Sequence, residues 1–124
     1  MARVTGVGGV FFRARDPGAL GEWYQRHLGV PYADGFAKFV WRDDPDAEAC
    51  TVWVPFEQDT PYFGPGSQQV MINFRVDDLD TLLAELAAAG IVIAPERSEE
   101  SHGRFAWITD PEGNRVELWE PVNS

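Results

Sequence analysis

The sequence repeats itself. The segment FRARDPGAL at 12–20 aligns with FRVDDLDTL at 74–82, placing Phe12 over Phe74, Arg13 over Arg75, Asp16 over Asp78 and Leu20 over Leu82, an offset of 62 in a chain of 124 residues. A second echo pairs WRDDPDAE at 41–48 with WITDPEGN at 107–114, in the same order and at an offset of 66. Two ordered matches half a chain apart imply one supersecondary unit used twice. The chain therefore reads as a single domain, residues 1–124, built from a first module (1–56) and a second (69–124). Between them lies EQDTPYFGPGSQ (57–68), whose Pro61, Gly64, Pro65 and Gly66 suit a linker.

Each half gives the same coarse pattern. A strand (6–14, then 69–76) runs into an aspartate placed to cap a helix, Asp16 with Pro17 behind it and then Asp78. In the first helix Leu20, Trp23, Tyr24 and Leu28 recur at helical spacing before Gly29; in the second Leu79, Leu82, Leu83 and Leu86 recur before Gly90. Three short strands complete each half, near 30–33, 37–42 and 50–56, then 91–95, 104–109 and 114–120. The order is βαβββ, twice, an α+β fold.

Strand side chains alternate between faces, so each strand offers one face to its helix and another away from it. The even positions are uniformly apolar: Val10, Phe12, Ala14, Val52, Val54, Ile72, Phe74, Val76, Ala106, Ile108, Val116 and Leu118. The odd positions are mixed: Phe11, Arg13, Phe39, Trp41, Trp53, Met71, Asn73, Arg75, Phe105, Trp107, Arg115, Glu117 and Trp119 among them. So many rings are rare on a face left to water, and three arginines with a glutamate are expensive in a plain core. Ring walls with a few convergent polar groups are what a small-molecule site needs.

Charge and composition exclude several classes. A formal net charge of −10 and a pI near 4.4 argue against a nucleic-acid or anionic membrane surface. The first residues, MARVTGVGGVFF, lack the apolar core of a signal peptide, and no run of about 18 apolar residues follows. With Cys50 as its single cysteine, the chain makes no internal disulfide, which suits a reducing cytoplasm. GVGGV at 6–10 leads into a strand where a dinucleotide fingerprint would open a helix, and no G-x-S-x-G is present.

The segments FFRARDPGALGEWYQRHLG, INFRVDDLDTLLAELAAAGI and GRFAWITDPEGNRVELWEP resemble the vicinal oxygen chelate superfamily of glyoxalases, extradiol dioxygenases and bleomycin-resistance proteins. That resemblance covers nearly the whole chain. It implies sheets curled into a cup-shaped half-barrel with the helices on the outer face, commonly in a homodimer. In metal-using members the first and last strands of each module supply the ligands of one divalent ion. Carried over, those positions are Gly9, Met71, Trp53 and Glu117, of which Glu117 alone suits a hard metal. Three protein ligands are the usual minimum for zinc, and a thioether suits soft ions, so neither a metal site nor another cofactor is expected.

Glu117 is accordingly the candidate for a catalytic base or polar anchor, with an ion pair to Arg13, Arg75 or Arg115 as the plainer alternative. Phe11, Phe39, Trp41, Trp53, Met71, Asn73, Arg75, Phe105 and Trp107 are the candidate ligand-binding residues, against a second core or a subunit interface. Arg13 and Arg75 have the forked geometry of a carboxylate or phosphate clamp. His27 closes a helix and reads as structural, while His102, in SEESHGRF, reads as a loop residue or part of a lid. Three functions compete: a cytoplasmic, metal-independent binder of an apolar or aromatic small molecule; a lyase, isomerase or dioxygenase using Glu117 or an incomplete metal site; and a non-catalytic dimeric interaction module.

Overall fold

Two aspartates start the two helices. Asp16 accepts from Ala19 N at 3.1 Å, with Pro17 in the first helical turn, and Asp78 accepts from Thr81 N at 3.1 Å, each satisfying an amide that the helix itself leaves open. Gly29 closes the first helix in the left-handed region (φ 70°), where a side chain would be strained. The computed structural model describes residues 2–40 and 50–122. They divide into two units, one running Gly9–Met71 and the other combining the residues as far as Gly8 with those from Ile72 onward.

In the first unit, β1 (Val4–Ala14) contributes residues 9–14 and is followed by α1 (Pro17–Leu28), β2 (Tyr32–Ala33), β3 (Phe36–Val40) and β4 (Cys50–Glu57). The strand order is β2-β3-β4-β1, with β1 and β4 parallel and the other pairs antiparallel. The helix is seated by rings. Trp53 lies 5.0 Å from Phe12 and 4.7 Å from Tyr24 of α1, centroid to centroid. Gly21 is the buried residue of the helix, because the Tyr32 ring occupies the space a side chain there would fill. Trp23 and Leu28, expected on the inner stripe, are instead exposed, the helix being turned so that Gly21 and Tyr24 meet the sheet.

The second unit repeats the plan with β5 (Val70–Val76), which contributes residues 72–76, then α2 (Leu79–Ala88), β6 (Ile93–Glu100), β7 (Gly103–Thr109) and β8 (Arg115–Pro121). Its order is β5-β8-β7-β6, again with the first and last strands parallel. The even positions form its core as expected: Val76, Ala106 and Leu118 pack with Leu79 and Leu83 of α2, and Phe74, Ile108 and Val116 surround them. Each fully buried large side chain in such a cluster contributes about 1.5–3 kcal/mol. Glu120 ties α2 down by accepting from Leu79 N at 2.7 Å. The fold is thus α+β, two βαβββ units. No described helix is long and apolar enough to cross a membrane.

Candidate functional site

With Val116 and Leu118 packed beneath α2, alternation turns Glu117 to the opposite face of β8. Register then decides its company. Asn73 of β5 stands beside Glu117 on one side and Trp107 of β7 on the other, and cross-strand neighbours present their side chains on a common face. Asn73 Nδ2 donates to Glu117 Oε1 at 2.6 Å, and Trp107 Nε1 donates to Oε2 at 2.9 Å. The carboxylate is 1% exposed and Asn73 3%. Burial of an acid is tolerable only with such partners.

A second row lies alongside. Arg75, Trp119 and Phe105 are register neighbours across the same three strands, and the Trp119 and Phe105 rings stack with centroids 6.4 Å apart. Trp119 Nε1 donates to the His102 carbonyl at 3.0 Å, which fastens the Ser101–His102 turn between β6 and β7 to β8. The Arg115 guanidinium sits 5.0 Å over the Trp107 ring and 3.8 Å from Glu96. Gly8 borders the cluster: a Cβ there would strike Asn73 Oδ1 and come within 2.9 Å of the Trp119 ring. Gly8 of the GVGGV run, read from sequence as leaving room at a cup wall, thus makes room for Asn73.

The other nominated residues divide differently. Phe11 is buried in the first unit beside Phe56 (5.3 Å) and Tyr62 (6.4 Å), and Phe63 joins them, so the 57–68 segment carries rings into a small core of its own. The PYF triplet at 61–63 was the signal for that role. Met71 is fully buried. Trp53 does not share the face of Phe11. The pairing of Gly9 with Val52 and Phe11 with Val54 puts Trp53 on the α1 side, and Phe39, paired with Thr51, follows it there. Odd numbers on β1 thus match even numbers on β4. Trp41 lies outside the described residues.

Arg13 is no anion clamp in this arrangement. Its Nε donates to Gln68 O at 2.9 Å and its Nη1 to Gln58 O and Thr60 O at 2.9 and 2.8 Å, while its guanidinium lies 5.0 Å from the Phe63 ring centre. Those bonds fasten both ends of the 57–68 segment. At the helix side of the second unit, hydrogen bonds from Arg104 and then Arg97 hold the Asp80 carboxyl below the usual carboxylate range, and Asp80 in turn raises Arg104.

The positions at which relatives keep metal ligands can now be read singly. A Cβ at Gly9 would lie 2.8 Å from both Phe11 Cε1 and Val52 Cγ2. Met71 offers a thioether. The register counterpart of Glu117 in the first unit is Val54, since Phe11 pairs with Val54 as Asn73 pairs with Glu117; the expectation of Trp53 there was one residue off. Among the described residues no three His, Cys, Asp or Glu side chains gather as a metal-binding group.

Residues 9–119 match the family model described as a glyoxalase-like domain. Solved structures with the same fold include methylmalonyl-CoA epimerase from Mycobacterium tuberculosis (22% identity, TM-score 0.65, covering 97% of this chain and 90% of that one). The Streptomyces coelicolor epimerase in complex with 2-nitronate-propionyl-CoA aligns at 19% identity and TM-score 0.70, over 98% of this chain and 100% of that one. The Mn(II)-bound glyoxalase from Novosphingobium aromaticivorans aligns at 20% identity and TM-score 0.61, over 97% of this chain and 40% of that one. A search of curated protein sequences found no match.

Proposed function

For a chain that belongs to the glyoxalase-like domain family of the vicinal oxygen chelate superfamily, we propose a metal-independent role: it binds an apolar or aromatic small molecule against the Glu117 face of its second unit. The observation that carries this reading is the Asn73–Glu117–Trp107 triad, a buried carboxylate whose two oxygens each accept a neutral N–H. The donor set does not fit a divalent ion. Gly9 has no side chain and no space for one, Met71 is a soft ligand, and Val54 is apolar. Trp107 beside Glu117, with Phe105 and Trp119 in the adjoining row that Arg75 ends, supplies rings suited to a flat ligand. The protein acts as a cytoplasmic homodimer on this reading, and light scattering giving a stable monomer of 13.9 kDa would count against the dimer.

Elemental analysis of protein purified without chelator tests the metal-independent claim. Nickel, zinc, iron and manganese should each fall far below one equivalent; a near-stoichiometric amount of any of them overturns it. A second reading is favoured by the fixed orientation of the Glu117 carboxylate: an isomerase or lyase of the same superfamily in which Glu117 removes a proton. Solved relatives of this fold include epimerases, one of them in complex with methylmalonyl-CoA. Turnover that survives Glu117→Gln would remove that reading.

A further inference from the structure

The two helices differ in what they leave to solvent. Among the described residues of α2 no large apolar side chain is exposed, whereas α1 leaves Trp23 exposed at 48% and Leu28 at 64%. Trp23 is held in place. Its ring meets Tyr24 edge-on with centroids 5.2 Å apart and His27 at 5.0 Å, and Tyr24 is itself seated on Trp53. An open groove of about 580 Å³ runs beside these rings, walled by Ala14, Arg15, Asp16, Ala19 and Leu20. Tryptophan is enriched among the residues that carry interface energy, and one already fixed loses little freedom on association.

Charge selects the occupant. The chain carries a net −10, but over residues 15–28 Arg15 and Arg26 balance Asp16 and Glu22, so two copies can meet there without the repulsion of like net charges. The order of the charges matters as well. Asp16 borders the groove at the start of α1, while His27 touches Trp23 in the last turn, next to Arg26. Two such helices laid antiparallel about a two-fold axis set each acidic start against the partner's basic end, and their dipoles oppose. Resting on the homodimer of the reading above, we infer that α1 is the subunit interface: a second copy of this chain lays its α1 antiparallel on this one, with each Trp23 in the other's groove. The contact is isologous, one self-complementary patch used twice.

Light scattering over a dilution series, on the unaltered chain and three variants checked for helix content by circular dichroism, tests this. Trp23→Glu should raise the dimer dissociation constant about a hundredfold or more. His27→Glu, which sets an acid against the partner's Asp16, should raise it about tenfold. Ala84→Glu adds a carboxylate to the exposed side of α2 and should change it about twofold or less. A dimer that resists both Trp23→Glu and His27→Glu, or that Ala84→Glu weakens as much as Trp23→Glu does, overturns the inference and leaves the homodimer in place. If Trp23→Glu loses its helical signal, an unchanged dissociation constant in His27→Glu overturns the inference by itself. An unaltered chain that stays a monomer of 13.9 kDa at the highest concentration attainable removes the homodimer and the inference together, and leaves ligand binding at the Glu117 face untouched.

Discussion

The two units have one topology and two different faces. In each, the first strand pairs in parallel with the last, and the helix covers one side. At matching register the second unit places Asn73 beside Glu117 and Arg75 beside Trp119, where the first places Phe11 beside Val54 and Arg13 beside Phe56. The outer pair is conserved in kind, an arginine and a ring. The inner pair is polar in one unit and apolar in the other. Consequently the second unit holds a buried carboxylate with oriented donors, and the first holds a ring cluster covered by its own 57–68 segment. A fold used twice does not carry a site twice; side chains at one register position decide it.

The largest test of that difference is removal of the inner residue in each unit. Glu117→Ala strands two buried N–H donors and should cost about 3 kcal/mol or more in urea unfolding, against about 1 kcal/mol for Val54→Ala. Equal losses would erase the contrast. Gly8→Ala comes next: its methyl would collide with Asn73 Oδ1 and the Trp119 ring, and we expect a loss of about 2 kcal/mol with disruption of the Asn73–Glu117 bond.

Arg13→Lys probes the arginine of the other face. One ammonium does not reproduce the guanidinium fork that reaches three carbonyls, so stability should fall by about 1–2 kcal/mol and limited proteolysis should cut first within 57–68. Cleavage elsewhere would show that Arg13 does not secure that segment. The smallest effect is acid dependence in the second unit. Asp80 is depressed by Arg104 and Arg97, Asp77 by the Arg3 amide, and Asp110 by the Asn114 amide. Groups depressed in the folded state contribute stability above their unfolded value near 3.8, and that contribution is lost as pH falls through the lower folded values. Asp80→Asn should flatten the acid limb of a stability–pH profile, and an unchanged limb would remove Asp80 from the account.

Much of this was legible in the sequence because local chemistry decides it. Asp16, Asp78 and Gly29 cap where capping residues should, and the even positions of β5, β7 and β8 pack under α2 because alternation is intrinsic to a strand. Glu117, Asn73 and Trp107 share one face for the same reason. What sequence could not supply was register. Nothing in CTVWVPFE distinguishes Val52 and Val54 from Thr51 and Trp53 as the helix-facing set, and the pairing of Gly9 with Val52 reverses the parity carried over from β1. The linker reading of 57–68 missed an aromatic cluster because proline and glycine mark a turn without showing what its other side chains cover. Arg13 and Arg75 look alike in sequence, and it took geometry to show Arg13 committed to main-chain oxygens.

The indole N–H of Trp107 reports on the central claim directly, since it touches the carboxylate and lies on the proposed binding face. In a nitrogen–proton correlation spectrum recorded with excess chelator, and assigned through Trp107→Phe, 2-naphthol should move the Trp107 indole signal in a saturable manner. A Trp107 signal that stays fixed while the ligand shifts other tryptophans, or one that moves only after a divalent metal is added, would contradict a metal-independent site at Glu117.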